Sequence, residues 1–371
     1  MDNPFKELLA KGQNFFSKAK AESALGIDIG SSSIKLVQMK KKNGRAVLET
    51  YSSLALGPYA GMDVGEITNL PADKLATALT DAIREANANA PRGALAIPNS
   101  SSLIFMIDLP KAVKEEDYPV VVPTEARKYI PVPITEVTLD YSAIPPLSVD
   151  SPLEEAPVEA KNEILVAAIH NDILAKYSDI VKRLQIKNDF FEIETFCSIR
   201  SSLSHELAPT LLVDFGASKT KLAIIEYGAA RRFRVVNRGS HDITRGLAQG
   251  MNIPFVSAEE YKRTRGLSSD PNDTTANEII KLSLDYIFSE INTVVLEYEK
   301  KYNRAINKVI LSGGGALLPG MYDYAIGNFQ CEVVMSDPFS KVEAPAFLSD
   351  ALKAGGPEFG VALGIGLRAI G

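Results

Sequence analysis

From Leu25 onward, mostly apolar residues form the short strand-like runs LGIDIG, IKLVQM and RAVLETYSSLAL, with Gly, Ser and Asn between them. That is the pattern of consecutive strands. Pro71 then opens a stretch of helical spacing over residues 72–87. Strand patterns return at 94–98, 102–109, 136–144 and 163–170, around one helical stretch at 114–129 that Pro119 and Pro123 make irregular, so this region reads as a small α+β insert. A helix is predicted over 172–185, followed by the apolar run FFEIETF, and near Leu211 the opening pattern recurs as LLVDFGASKTKLAII. The helix predicted over 276–302 sets Ile280, Leu284, Ile287, Ile291, Val294 and Tyr298 on one stripe, as a scaffold element does. Residues 147–162 are rich in Pro, Glu and Ser and read as an exposed loop. Residues 1–23 place Phe5, Leu8, Leu9, Phe15 and Phe16 near helical spacing among lysines, as an amphipathic segment that docks on its own protein or touches a membrane.

A chain of 371 residues with 46% hydrophobic content can bury a large core in two or three domains without metals or disulfides. Cys197 and Cys331 lie far apart in sequence, and three histidines are too few for a histidine-rich metal site, which fits a reducing compartment. Forty basic against forty-six acidic residues give a net charge of −6, which argues against nucleic acid as a partner. No run approaches the ~20 apolar residues needed to span a bilayer, and no signal-peptide pattern is expected at the N-terminus.

The candidate chemistry lies in the repeat. Leu25–Lys35 and Leu212–Lys221 each read as strand, Asp-x-Gly, small hydroxyl residues, strand. A tight turn of this kind presents successive backbone N–H groups to one side, and Gly30 and Gly216 let a phosphate approach closely. Ser31, Ser32 and Ser33 in the first hairpin, and Ala217, Ser218 and Thr220 in the second, complete two grips on one polyphosphate, with Lys35 balancing its charge. Asp28 and Asp214 then face each other across the cleft, where hard carboxylate oxygens suit Mg2+ held through water. A third element, VILSGGGALLPG, runs a buried strand into Gly313, Gly314 and Gly315, where glycine permits close approach to adenosine. Residues 26–33 lack the G-x-G-x-x-G spacing of a dinucleotide fold.

In this order the three motifs resemble the two phosphate hairpins and the adenosine segment of the actin-like ATPase superfamily. The segment with Glu259, Lys262 and Arg263 is similar to the Glu-x-x-Lys-Arg helix that contacts adenosine in the chaperone branch, and Gly239 to Thr244 resembles the turn entering the second small subdomain. His241 in that turn is read as a polar surface residue.

The resemblance implies an α/β, two-lobed, ribonuclease H-like fold with an inserted SHS2-type subdomain. Its expected divisions are subdomain IA at 24–93 and 186–210, IC at 94–185, IIA at 211–244 and 306–371 with the last helix packing back on IA, and IIB at 245–305. The insert, the phrase GIDIGSSSIKLV, the ending around Asp337 to Phe339 and the stretch Gly364 to Arg368 are similar to the PilM branch of the superfamily.

That branch implies an ATP- or ADP-binding cytoplasmic scaffold, peripheral to the inner membrane, in the type IV pilus or a related secretion machine. Its implied partners are the cytoplasmic N-terminal tail of a PilN-like membrane protein, pilus motor ATPases and other copies of itself, with membrane contact indirect or through residues 1–23. No water-activating residue is evident, so hydrolysis is expected to be slow or absent. The alternatives are an FtsA-like membrane tether that forms filaments and a small-molecule kinase, which needs a base opposite the γ-phosphate.

Overall fold

The computed structural model describes residues 23–145, 161–204 and 206–371. The amphipathic segment expected at the N-terminus and most of the Pro- and Glu-rich loop lie outside the described residues.

The first sheet opens with β1 (Ala24–Ile29), β2 (Ser33–Lys42) and β3 (Arg45–Ala55), an antiparallel meander. Helix α1 (Ala72–Glu85) starts behind Pro71 and carries the chain to β4 (Arg92–Ile97), which pairs parallel to β1. All six residues of β1 are buried, because a central strand covered on both faces needs an apolar run rather than an alternation.

The insert follows as β5 (Ser102–Pro110), α2 (Tyr118–Ala126), β6 (Val137–Ala143) and β7 (Lys161–His170). Its three strands are ordered β5-β7-β6 over a separate small core of Ile107, Leu109, Val122, Ile164 and Val166. The predicted 114–129 helix is shorter than expected: a 3-10 turn occupies Glu115–Asp117, and α2 then begins with Pro119 in its first turn, where a missing N–H costs least. Helix α3 (Asn171–Leu184) and β8 (Lys187–Ile193) return to the first sheet, and α4 (Glu194–Ser202) leaves it.

The second sheet repeats the first: β9 (Thr210–Phe215), β10 (Thr220–Glu226) and β11 (Ala229–Val236) form the meander. Helices α5 (Ser240–Gly250), α6 (Phe255–Thr264) and α7 (Thr274–Tyr302) cross over to β12 (Lys308–Ser312), and α8 (Met321–Asn328) leads to β13 (Glu332–Met335). The strand orders β3-β2-β1-β4-β8 and β11-β10-β9-β12-β13 are the same arrangement twice. Helix α7 has 29 residues, about 44 Å at 1.5 Å per residue. It buries Ile280, Leu284, Ile287, Ile291, Val294 and Tyr298 against the second sheet's core and stops where Asn303 turns left-handed at φ 52°.

Helices α9 (Ser349–Gly355) and α10 (Gly360–Ile370) close the chain. Helix α10 lies on the first sheet: a Cβ on Gly26 would sit 2.1 Å from the Ala362 carbonyl oxygen, and one on Gly364 would sit 1.9 Å from that of Cys197. Beneath it, buried Glu192 takes both Nη atoms of Arg200 at 2.7 and 2.6 Å and Nη1 of Arg368 at 2.7 Å, a charge cluster that ties β8, α4 and α10 together.

The insert also reaches the second lobe. Glu163 of β7 accepts from Lys301 Nζ at 2.7 Å and Tyr302 Oη at 2.8 Å on α7, and from Arg231 Nη1 of β11 at 3.4 Å.

Candidate functional site

The two hairpins are built alike. In the first, the Gly30 amide donates to the Ser33 carbonyl; in the second, the Gly216 amide donates to that of Lys219, each at 3.0 Å. A Cβ on Gly30 or Gly216 would lie 2.9 or 2.8 Å from the same carbonyl oxygen, so glycine is needed for the tightness of the turn. Each turn is braced from behind. The carbonyls of Ser31 and Ser32 accept from the amides of Thr68 and Leu56, and those of Gly216 and Ala217 from the amides of Ser240 and His241 at the start of α5.

Both turns border one cleft of ≈ 520 Å³ between the lobes. Asp28, Gly30, Ser31, Ser32, Ser33 and Lys35 line it from the first lobe, and Asp214, Gly216, Ala217 and Ser218 from the second. The Gly-rich segment Gly313, Gly314 and Gly315 forms a third wall, and Glu259, Lys262 and Arg263 of α6 a fourth. Its size is that of an ordinary small-molecule site.

The floor is charged. Strand register sets Asp28 beside Lys35 on β1–β2 and Asp214 beside Lys221 on β9–β10, each pair seven positions apart (28 to 35, 214 to 221). Lys221 Nζ lies 3.2 Å from Asp214 Oδ2 and 3.0 Å from Glu194 Oε2, joining the second lobe to the first residue of α4 in the first. Burial alone disfavours that ammonium, but Asp214, Glu194 and Asp28 hold its pKa well above the usual lysine value. Burial pushes Asp28 up to about 6; Lys35 and Lys221 oppose that shift, and Glu194 and Asp214 add to it. Lys35 Nζ donates to Ser33 Oγ at 2.6 Å.

On α6, Glu259 Oε2 accepts from Lys262 Nζ and Thr244 Oγ1, both at 2.6 Å, and Oε1 accepts from Arg263 Nε at 2.6 Å. Burial would raise the Glu259 pKa, yet these donors keep it below the usual carboxylate range. A strap of the first lobe lies against this cluster: Gly65 has φ +95°, and a Cβ there would lie 2.6 Å from Glu259 Cδ.

Two expected site residues fall elsewhere. Thr220 is buried beside the cleft but does not line it; its hydroxyl donates to the Arg238 carbonyl at 2.9 Å, since alternation along β10 turns it away from Lys221. Gly239 is the N-cap of α5 and packs on the second turn, where a Cβ would meet the Ala217 carbonyl oxygen at 2.4 Å, so it supports the hairpin from behind. His241 is not a surface residue: it is buried, its ring tilted against that of Phe255 with centroids 5.4 Å apart, and its Nδ1 lies 3.7 Å from Glu66 of the strap. Sequence reasoning missed Glu194, Lys221 and Asn99. The Asn99 amide donates to Glu194 Oε1 at 2.6 Å.

Asp28 and Asp214, the pair between which Mg2+ is expected, both line the cleft. One oxygen of Asp214 faces an ammonium, and the other lies against Gly313. No group of three or more His, Cys, Asp or Glu residues suited to a metal occurs among the described residues.

The profile described as Type IV pilus assembly protein PilM matches residues 26–370. The cell division protein FtsA of Streptococcus pneumoniae is 22% identical over 358 residues, covering 87% of this chain and 77% of its own. Among solved structures, a PilM-PilN type IV pilus biogenesis complex superposes with TM-score 0.78 at 25% identity, over 94% of this chain and 98% of that one. MreB5 of Spiroplasma citri bound to AMPPNP shares the fold at TM-score 0.51 and 13% identity, over 93% and 95% of the two chains. With its doubled sheets and matching profile, the chain belongs to the type IV pilus assembly protein PilM family and has the actin-like ATPase fold.

Proposed function

We propose that the chain binds ATP or ADP between its lobes and acts as a cytoplasmic scaffold of the type IV pilus inner-membrane platform, holding the cytoplasmic N-terminal tail of a PilN-like membrane protein. The observation that carries the nucleotide reading is the convergence of both hairpins and the Gly-rich segment on one cleft. The hydroxyls of Ser31, Ser32 and Ser218 and the turn amides suit phosphate oxygens. The Gly313 to Gly315 wall and the Glu259, Lys262 and Arg263 side suit the adenosine end. Family membership supports the scaffold role, and the similar solved complex supports a PilN-like partner. The insert ends in the edge strand β6, to which an extended peptide can add a strand through backbone hydrogen bonds. Among the described residues no helix is long and apolar enough to cross a membrane, in keeping with peripheral attachment through a partner.

Calorimetric titration with ATP and ADP, and fluorescence anisotropy of a labelled peptide from the N-terminus of a PilN-like protein, test the two halves separately. Saturable binding in both is expected. Absence of nucleotide binding overturns the first half and absence of peptide binding the second. A phosphorylated small-molecule product without peptide binding favours a kinase.

A further inference from the structure

Residues 56–70, the strap of the first lobe, connect the two sides of the cleft. Both ends are fixed to the first phosphate turn: the Leu56 amide donates to the Ser32 carbonyl at 2.9 Å and the Thr68 amide to the Ser31 carbonyl at 2.8 Å. The stretch between is closed on itself and tied to the first lobe. The Met62 amide donates to the Gly57 carbonyl at 2.9 Å, a Cβ on Gly57 would lie 2.0 Å from the Asp63 carbonyl oxygen, and Tyr59 Oη donates to Asp81 of α1 at 2.7 Å. The tip reaches the second lobe, where Gly65 packs on Glu259 and Glu66 faces His241. His241 in turn gives its backbone amide to the Ala217 carbonyl of the second turn at 2.9 Å. One side-chain contact therefore completes a path from the first phosphate turn to the second, beside a cleft that Gly65, Thr68, Asn69 and Leu70 line.

That contact is half made. His241 is 6% exposed, and its Nδ1 has no hydrogen-bond partner among the described residues. Glu66 Oε2 stands 3.7 Å away, about 0.5–1 Å beyond an N–H···O bond. A buried ring nitrogen without a partner costs free energy, which a small approach of the strap to α5 recovers. As the Nδ1–H tautomer or the imidazolium, His241 donates and the carboxylate accepts.

We propose that the strap is a gate on the cleft and that Glu66 and His241 are its latch: the hydrogen bond forms when the lobes draw together on a nucleotide, and the nucleotide leaves only after it breaks. This inference rests on the nucleotide reading above and concerns how long the ligand stays. Neither Glu66 nor His241 lines the cleft, so the latch acts without touching the ligand. Its effect falls on release more than on association, because the bond is made after the ligand has entered.

The test is stopped-flow displacement of a fluorescent ADP analogue by excess ADP from the full chain. Glu66→Ala, which removes the acceptor, and His241→Phe, which removes the donor and keeps a ring against Phe255, are each expected to speed release about three- to tenfold. Association should stay within about twofold of wild type. The double variant is expected to release no faster than either single one, since the second change finds the bond already gone. Glu66→Gln, whose amide oxygen still accepts, should lie closer to wild type than Glu66→Ala. Wild-type release rates in both single variants overturn the proposal, and so do effects that multiply in the double variant. If His241→Phe does not fold, Glu66→Ala decides alone, because its side chain is 23% exposed and its loss leaves no buried gap: release at the wild-type rate overturns the latch. Absence of binding in the wild type brings down the nucleotide reading and the gate with it, whereas binding with a release rate indifferent to Glu66 and His241 brings down the gate alone.

Discussion

The three consecutive glycines of the third wall are not equivalent, and alanine substitution separates them. Gly313 has φ 84° and ψ 162°, a region almost closed to residues with a Cβ. An added Cβ would lie 2.5 Å from Asp214 Oδ1 and 2.6 Å from the Phe215 carbonyl oxygen. The torsion costs about 1–3 kcal/mol, and displacing the segment from the end of β9 costs about 1–3 kcal/mol more. At Gly314, the nearest atom to such a Cβ is Glu358 Cβ at 3.8 Å, an ordinary contact, and its φ is not positive. Gly313→Ala is therefore expected to lower the unfolding midpoint by about 3–8 °C. If a third of the combined cost falls on the closed cleft, nucleotide affinity drops about tenfold. Gly314→Ala is expected to leave both nearly unchanged. Thermal unfolding and nucleotide titration of the two variants side by side check this, and equal damage from both would refute the close-approach reasoning.

Gly65→Ala, which forces a Cβ onto the Glu259 side chain from a left-handed backbone, is expected to weaken nucleotide binding several-fold with little loss of secondary structure by circular dichroism. Glu192→Gln, which removes the negative charge that Arg200 and Arg368 share under α10, is expected to cost about 3–5 kcal/mol in denaturant unfolding. Burial would raise the Glu192 pKa, but Arg200 and Arg368 hold it below its ordinary 4.5. Its stabilisation is thus present above that pH and lost as pH falls through the folded value, and the acid limb of the stability curve should flatten in the variant. Asp140 shows the opposite sign: burial lifts it to about 6, against partial lowering by the Tyr141 amide and Arg368. The unfolded chain gives up this proton first, so stability declines as pH rises from about 4 to 6. The advantage of Asp140→Asn in unfolding midpoint should open over that interval and stay constant above it.

The repeat was legible in the sequence because two strand-turn-strand units with the same Asp-x-Gly spacing cannot be hidden by tertiary context, and β1 and β9, buried along their whole length at sheet centres, are mostly apolar up to the aspartate before each turn. The stripe of α7 was equally plain. Glu194 was not, because FFEIETF reads as one apolar run, although a strand ends at Ile193 and a helix begins at the next residue. Two carboxylates, Glu192 and Glu194, amid large apolar residues were the available signal. Lys221 could have been found by noting that both hairpins carry a lysine seven positions after the aspartate. Thr220 was misassigned because the alternation of side chains along β10 was not followed one step beyond the turn. His241 looked peripheral because its cover, the strap around Glu66, is distant in sequence and reaches it only through the tertiary fold.

The Glu163 contact with α7 and β11 makes the insert a bridge as well as an appendage. The insert leaves the chain from the first lobe, yet it is pinned to the second by a carboxylate shared among Lys301, Tyr302 and Arg231. Rocking one half of the molecule against the other must either snap that pin or tilt the insert with it. A protein gripping the insert is therefore coupled, as through a lever arm, to whatever opens or shuts the gap between the halves.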